Sequence, residues 1–120
     1  MPVSYLIDQG QRLVVSRLSG TVTQTEVLEH NRTLRTDPDF NPSYRQLVDC
    51  TDVTEILVST PTINAVSHSQ FFTPGTRRAF VATSDLAFGL ARMFALSAGA
   101  SGQTIEVFRE RRVAEEWLVI

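Results

Sequence analysis

The sequence predicts a single α/β domain with five strands and four helices in the order β-β-α-β-α-β-α-β-α. Two observations lead to this prediction. Short segments rich in Val, Leu and Ile alternate with longer segments whose apolar residues recur at helical spacing. Turn-forming Gly, Pro and Asp residues separate them, and strands that alternate with helices form βαβ units. The chain of 120 residues has the length of one domain, so we assign residues 1–120 to it.

The N-terminal segment predicts a β-hairpin followed by a helix. The strands are Val3–Ile7 and Arg12–Ser19, and a Gly-containing turn joins them. The helix begins at Thr23–Glu26, a capping box in which a hydroxyl residue is followed three residues later by Glu. It ends before the Asp-Pro pair at 37–38, because the residue before a proline disfavours helical backbone angles.

The third strand and the segment after it form the most informative part of the chain. We expect the strand Arg45–Asp49 to end in a hydroxyl-rich turn, and a second helix to run from Thr60 or Pro61 to about Ser69. A loop over residues 70–76 follows. In open α/β sheets, ligand and regulatory sites collect at the carboxyl ends of strands, so this turn is the first place to look for function.

Two further strand–helix pairs complete the prediction. They are the strand Arg78–Thr83, a helix that Ser84 or Thr83 caps and Gly99 or Gly102 ends, the strand Thr104–Phe108 and the helix Arg111–Leu118. The third helix is apolar over much of its circumference. We place one set of its residues on the inner face: Leu86, Leu90, Met93, Phe94 and Ser97.

Composition excludes several classes of function. A net charge of −2 without a basic cluster argues against nucleic acid binding. All 11 basic residues are Arg, so Schiff-base chemistry and a Walker-type phosphate loop are excluded for want of Lys. A single Cys and two His residues without motif-like spacing predict neither a disulfide framework nor a metal site. We expect no cofactor, no signal peptide, no integral membrane segment and a cytoplasmic location.

The chain resembles the STAS-like group of small bacterial proteins, in particular the SpoIIAA-like relatives of anti-sigma-factor antagonists. Five segments carry the resemblance: Gly20–Thr23, Gln46–Asp49, Asp52–Thr54, Arg78–Ala82 and Leu86–Ala91. The resemblance implies a mixed sheet with helices packed on it and no intrinsic enzymatic activity. It also implies a role as a binding partner that is in some members switched by phosphorylation.

The resemblance points to Ser59 as a candidate phosphoacceptor. In the antagonists, a motif of the form Asp-Ser-Ser-Gly follows the third strand, and its second Ser is phosphorylated. The motif falls on residues 57–60, where Ser59 matches but Leu57 and Thr60 replace the Asp and the Gly. We keep Ser59 and Thr60 as phosphoacceptor candidates, because a helix N-terminus favours phosphate. The alternative is an ordinary helix N-cap.

Three chemical groups near the third strand have simpler interpretations. Asp49 and Asp52 suggest a phospho-accepting or metal-binding pair, but two acids without a third ligand favour solvation at the strand end or pairing with an Arg such as Arg45 or Arg78. Cys50 is expected to be a buried, inert thiol.

Large apolar residues suggest a contact surface. Phe71 and Phe72 lie in the predicted 70–76 loop, and Phe88 and Leu96 lie on the third helix. Together with Asp52 they are candidates for contact with a ligand or partner. The alternative is that the two loop aromatics fold inward and close the core.

From these patterns we expect a non-enzymatic cytoplasmic regulatory module that binds a protein partner or forms a homodimer, and we assign no catalytic residue. The alternative is a small-molecule or lipid-binding module with an apolar pocket beneath Phe71, Phe72 and the third helix.

Overall fold

The computed structural model describes residues 2–69 and 71–119. Met1, Gln70 and Ile120 lie outside the described residues. Gln70 is the first residue of the predicted 70–76 loop, and Met1 and Ile120 are the first and last residues of the predicted domain. The predicted order of elements is confirmed. The strands are β1 (Val3–Asp8), β2 (Leu13–Thr23), β3 (Arg45–Leu57), β4 (Arg77–Val81) and β5 (Thr104–Phe108). The helices are α1 (Gln24–Thr36), α2 (Thr60–His68), α3 (Asp85–Gly99) and α4 (Arg111–Leu118).

The strands form one mixed sheet in the order β1-β2-β3-β4-β5. The strand β1 is antiparallel to β2, whereas the pairs β2·β3, β3·β4 and β4·β5 are parallel. Each parallel crossover advances by one strand in the same direction. Right-handed crossovers therefore place α1, α2 and α3 on one face of the sheet. The last helix, α4, packs on the opposite face.

Alternate residues along the strands build the two cores. On the α4 side, buried residues of three strands pack against Ala114 and Leu118: Leu13, Leu47, Ala79 and Val81. On the other side, Val48, Cys50 and Ala82 pack against Ala87 of α3, and Val14 packs against Leu34 and Phe72. This face also carries three buried polar residues, Ser16, Gln46 and Arg78, which pure packing does not require.

Two strands are longer than the sequence predicts. The expected turn after Asp49 is wrong, because β3 continues to Leu57. It pairs there with the extension of β2, which passes through Gly20 and ends at Thr23. Gly20 takes a positive φ of 62°, and the pairing register shifts beside it, so a bulge lets β2 continue where the sequence suggested an interruption.

Local capping signals position the helices. The capping box of α1 is present, with reciprocal hydrogen bonds between Thr23 and Glu26. The side chains of Ser59 and Ser84 cap α2 and α3. The predicted inner face of α3 needs correction, because Leu86 and Met93 are exposed while the smaller Ala87, Ala91 and Ala98 are buried. Small side chains let α3 approach the sheet closely, and Leu86 and Met93 are left on the outside.

Candidate functional site

An apolar cavity of about 150 Å³ lies between the sheet and the helices α1, α2 and α3. Its described walls come from the strands β1 to β4, from the segment before α2 and from the helices α1, α2 and α3. The apolar lining residues are Val3, Leu18, Val27, Val48, Cys50, Ile56, Val58, Ile63, Val66, Phe80, Ala87, Leu90, Ala91 and Phe94. A cavity of this size with apolar walls resembles those that remain dry and accept a small hydrocarbon.

One end of the cavity is polar. Four side chains line it there: Arg78 from β4, Gln46 from β3, and His30 and Asn31 from α1. Gln46 and Arg78 are directly paired in the parallel register of β3 and β4, so their side chains leave the sheet side by side. The helix α1 lies over this end and supplies the other two.

The Arg78 guanidinium is held in a fixed position. It is 4% exposed, and its Nε and Nη2 donate to Gln46 Oε1 at 3.0 and 2.9 Å. Its Nη1 donates to Gln103 Oε1 at 3.3 Å, and the guanidinium lies 4.1 Å from the ring centroid of Phe72. Burial lowers the pKa of Arg78 to about 9, so that the group still carries its charge near neutral pH.

A hydrogen-bond chain connects Arg78 with α1. Gln46 Oε1 accepts from Arg78, and Gln46 Nε2 donates to Ser16 Oγ at 3.1 Å. Ser16 Oγ lies 2.9 Å from His30 Nε2, and His30 Nδ1 lies 3.1 Å from Asn31 Oδ1. Because an amide oxygen only accepts, Nδ1 carries the hydrogen, and in the neutral ring Nε2 then accepts from the Ser16 hydroxyl. In this neutral state every donor points the same way.

Burial favours this neutral state. The pKa of His30 is lowered by burial, with a smaller contribution from the positive charge of Arg78, while the bond to Asn31 opposes the shift. A chain of bonds with one direction strengthens each of its members. This hydrogen-bond chain fixes the tautomer and the orientation of the His30 imidazole.

Ser16, His30 and Asn31 resemble a nucleophile, a base and an orienting group. However, Ser16 is 0% exposed and is not among the residues that line the cavity. A substrate inside the cavity therefore does not reach its hydroxyl. The geometry makes these residues a structural relay that holds the polar end of the cavity.

The predicted phosphoacceptors lie at the start of α2. Ser59 is the N-cap, and its Oγ accepts from the backbone N–H of Thr62 at 3.3 Å. The same hydroxyl donates to Gln24 Oε1, 3.2 Å away, which links α2 to the start of α1. Thr60 is the first helical residue and is exposed. The sequence proposed two roles for the Ser59 hydroxyl, helix cap and phosphoacceptor. The structure shows the cap.

The acids and the thiol of β3 lie within the strand. Asp52 is exposed and pairs with Arg17 of β2. Asp49 pairs with Arg111 of α4 at 3.0 Å, so the predicted pairing with Arg45 or Arg78 is corrected. Partial burial opposes the shift, but bonds from Thr51 and Arg111 lower the pKa of Asp49.

Cys50 lines the apolar part of the cavity. Burial, and to a lesser degree the charge of Asp49, raises the pKa of its thiol to about 12.

Among residues 2–69 and 71–119, no group of three or more His, Cys, Asp or Glu side chains is arranged to hold a metal ion. None of the helices in the described ranges combines the length and apolar character needed to cross a membrane.

The two loop aromatics fold inward. Phe72 is buried against Val14 and Leu34, and Phe71 stacks on it with ring centroids 5.1 Å apart. Both rings contact Phe40 edge-on. The cavity adjoins α3 as expected, but the predicted pocket beneath Phe71 and Phe72 is misplaced, since Phe72 lies behind Arg78 and neither ring is among the described lining residues.

The two candidates on α3 have different environments. Phe88 is half-buried, and the Arg109 guanidinium lies 4.1 Å from its ring centroid. Leu96 is 72% exposed on the outer side of the helix. The structure therefore separates the sequence candidates among the core, the surface and the helix start, and it does not bring them together in one site.

The residues that do converge were not identified from the sequence. Ser16, Gln46 and Arg78 are polar residues at inward-facing positions of strands. Gln46 and Arg78 directly precede the apolar segments of β3 and β4, whereas Ser16 interrupts the apolar segment of β2. That interruption is a signal that the sequence contains. His30 is one of the two His residues whose spacing matches no motif.

Comparison with known proteins identifies the fold. No family model and no curated protein sequence matches the chain. Among solved structures, the chain is similar to an uncharacterised protein of the DUF3478 family with a SpoIIAA-like fold, from Shewanella loihica PV-4. The TM-score is 0.61 at 16% sequence identity, over 97% of this chain and 91% of the other. The chain therefore has a SpoIIAA-like fold, as the resemblance of its sequence implied.

Proposed function

We propose that the protein is a non-enzymatic binding module that takes up a small apolar molecule in the cavity between the sheet and α1, α2 and α3. The observation that carries this proposal is the cavity itself, about 150 Å³ in volume and lined mainly by apolar side chains. Small-molecule sites are typically concave and lined mainly by apolar side chains, and this cavity has both properties.

Binding of toluene tests this proposal. We expect toluene to raise the melting temperature and to shift the NMR signals of Val48, Ile63 and Ala91, which line the cavity. The variant Ala91→Leu fills the space and abolishes both effects. The matched control is Ala95→Leu on the same helix, which adds the same atoms outside the described lining and keeps both effects. A wild-type protein that toluene neither stabilises nor perturbs contradicts the proposal.

The outer side of α3 supports a second proposal, contact with a protein partner or a second copy of the chain. Leu86 is 61% and Leu96 72% exposed, and Met93 lies between them on the same side of the helix. Exposed apolar clusters of this kind mark interaction surfaces. Sedimentation velocity over a range of concentrations tests self-association. A dimer that Leu96→Ser weakens and Leu28→Ser on α1 preserves supports it, whereas a monomer at every concentration contradicts it.

Regulation by phosphorylation at Ser59 belongs to this second proposal. The hydroxyl is exposed at a helix N-terminus, where backbone N–H groups and the helix dipole favour a phosphate. Phosphorylation would replace the bond that now joins Ser59 to Gln24. The intact mass of protein isolated from its own host, with fragment mapping, decides the matter. A phosphoryl group mapped to Ser59 supports the switch, and an unmodified Ser59 in every growth state contradicts it.

A further inference from the structure

His30 lies in the wall between two spaces. It lines the apolar cavity, and it also lines a groove of about 490 Å³ between β1 and α1. The groove is bounded by residues 2–5 and by residues of α1, and Val3 is the other residue that the two linings share. The ring of Tyr5, on the groove side, meets the imidazole edge-on with ring centroids 5.7 Å apart. A movement of the imidazole therefore changes the boundary between the cavity and the groove.

The cavity side of His30 carries a positive charge. Burial lowers the pKa of His30, and the charge of Arg78 from β4 lowers it further, against a smaller opposing effect of the bond to Asn31. Cys50 of β3 lines the same cavity as a neutral thiol, with its pKa near 12. Among the described lining residues, α2 and α3 contribute only apolar side chains. Nothing in this lining offsets a positive charge on the imidazole.

The groove side of His30 carries negative charges. Glu26 and Glu29 line the groove from α1. Each has a partner already, the α1 cap for Glu26 and the exposed Arg32 for Glu29, but a carboxylate accepts several hydrogen bonds. Tyr5 of β1 is neutral, because burial and a hydrogen bond to a carboxylate raise its pKa to about 12. A charged imidazole is therefore favoured on the groove side and disfavoured on the cavity side.

Protonation also disrupts the hydrogen-bond relay. The neutral Nε2 of His30 accepts from the Ser16 hydroxyl, 2.9 Å away, whereas a protonated Nε2 is a donor. The Ser16 hydroxyl already accepts from Gln46, so its own hydrogen loses the acceptor that it has in the relay. Ser16 is 0% exposed, and a buried polar group without a partner is costly. The charged ring is thus displaced from Ser16.

We propose that His30 makes ligand binding sensitive to pH: the neutral ring forms part of the cavity wall, and the protonated ring leaves Ser16 for the groove carboxylates, so that acidification releases the bound apolar molecule. This inference rests on the proposed binding function and adds its regulation. Once the ring leaves the wall, the cavity joins the groove, and an apolar molecule removes less apolar surface from water when it binds. Because the pKa of His30 lies below its ordinary value of about 6.5, the release takes place in mildly acidic solution.

Toluene titrations of the folded wild-type protein at pH 7 and pH 5 test the switch. The NMR signals of Val48, Ile63 and Ala91, which line the cavity, report binding. We expect the dissociation constant to be at least about fivefold higher at pH 5, the lower end of ordinary coupling between two sites. Equal affinity at the two pH values overturns the switch and leaves the binding function standing. Absence of binding at pH 7 refutes the binding function and the switch with it.

Variants of the two histidines locate the effect. His30→Gln removes the titrating group, and we expect its affinity for toluene to be the same at both pH values. His68→Gln is the matched control, because His68 is exposed at the end of α2 and lines neither space. The control keeps the dependence on pH. A dependence that survives His30→Gln refutes the role of this residue.

The wild-type protein provides a second test that needs no variant. Coupling between two sites is reciprocal, so saturating toluene should lower the pH at which the His30 ring signals titrate. The nuclear Overhauser contacts between this ring and Ser16 should be present at pH 7 and lost when the ring is protonated. A His30 titration that toluene leaves unchanged, or a protonated ring that stays in contact with Ser16, overturns the proposal.

Discussion

The substitution Ser16→Ala tests the hydrogen-bond relay in the most direct way. Ser16 is fully buried, and its hydroxyl accepts from Gln46 Nε2 at 3.1 Å and lies 2.9 Å from His30 Nε2. Its removal leaves one donor and one acceptor without this partner. An unsatisfied buried polar group costs about 1–3 kcal/mol, so two of them lower the free energy of unfolding by about 2–4 kcal/mol after partial relaxation. This is a large share of the roughly 5–15 kcal/mol of a typical domain.

Equilibrium unfolding in urea measures this loss. We expect a lower midpoint with an unchanged slope, because the substitution does not alter the surface exposed on unfolding. Ser4→Ala, at an exposed position of β1, is the control and changes the midpoint little. A loss below about 0.5 kcal/mol, the range of ordinary surface substitutions, would refute the reasoning.

The nitrogen chemical shifts of His30 provide an independent check on the same relay. The wild-type ring should be the neutral tautomer with its hydrogen on Nδ1, because Asn31 Oδ1 accepts there and the Ser16 hydroxyl donates to Nε2. Ser16→Ala removes half of this constraint, and the second tautomer should become populated. A wild-type His30 ring with its hydrogen on Nε2 contradicts the donor-to-acceptor direction of the hydrogen-bond chain.

Three further predictions concern single groups. The pKa of His30 is lowered in the folded state, so the unfolded chain binds more protons below about pH 6.5 and stability falls on acidification, at up to about 1.4 kcal/mol per pH unit. Urea midpoints between pH 7 and 5 should show this fall, and His30→Gln should remove it. The buried Cys50 thiol, with its pKa near 12, should react with iodoacetamide only after unfolding, and rapid labelling of the native protein contradicts this. Thr23→Ala removes the α1 cap and should cost about 1 kcal/mol in thermal unfolding, whereas an unchanged melting temperature would count against the capping box.

The sequence predicted the elements of the fold because their signals are local. The capping box at Thr23 and Glu26 lies within four consecutive residues, and it alone places the start of α1. The Asp37-Pro38 pair places its end in the same way, since α1 stops at Thr36. From β2 onwards, strands and helices alternate along the chain, and this alternation predicts parallel βαβ units.

The extension of β3 could not be predicted from local signals. Residues 51–57 are mostly polar, and their strand conformation depends on pairing with the extension of β2, which lies more than 30 positions earlier in the chain. Thr21 pairs with Glu55 and Thr23 with Leu57. The bulge at Gly20 allows that pairing to resume, although a glycine in the sequence indicates a break as readily as a bulge.

The candidate site was missed for the same reason. Ser16 and Gln46 are 30 residues apart, and Gln46 and Arg78 are 32 residues apart. Only the parallel register brings them onto one face of adjacent strands. The inward position of each residue is readable from alternation along its own strand. Their mutual contact depends on the order of strands in the sheet, which the sequence pattern does not specify.

Stability alone does not account for the polar group in this core. Taking a guanidinium out of water is expensive, and buried ionic groups are often replaced by apolar residues without loss of stability. A core selected for packing alone would have apolar side chains at Ser16, Gln46 and Arg78, and no apolar cavity would lie beside them. A small apolar molecule in the cavity gives the apolar side chains around it the contacts that they otherwise lack, and this is why we assign the cavity to a binding site.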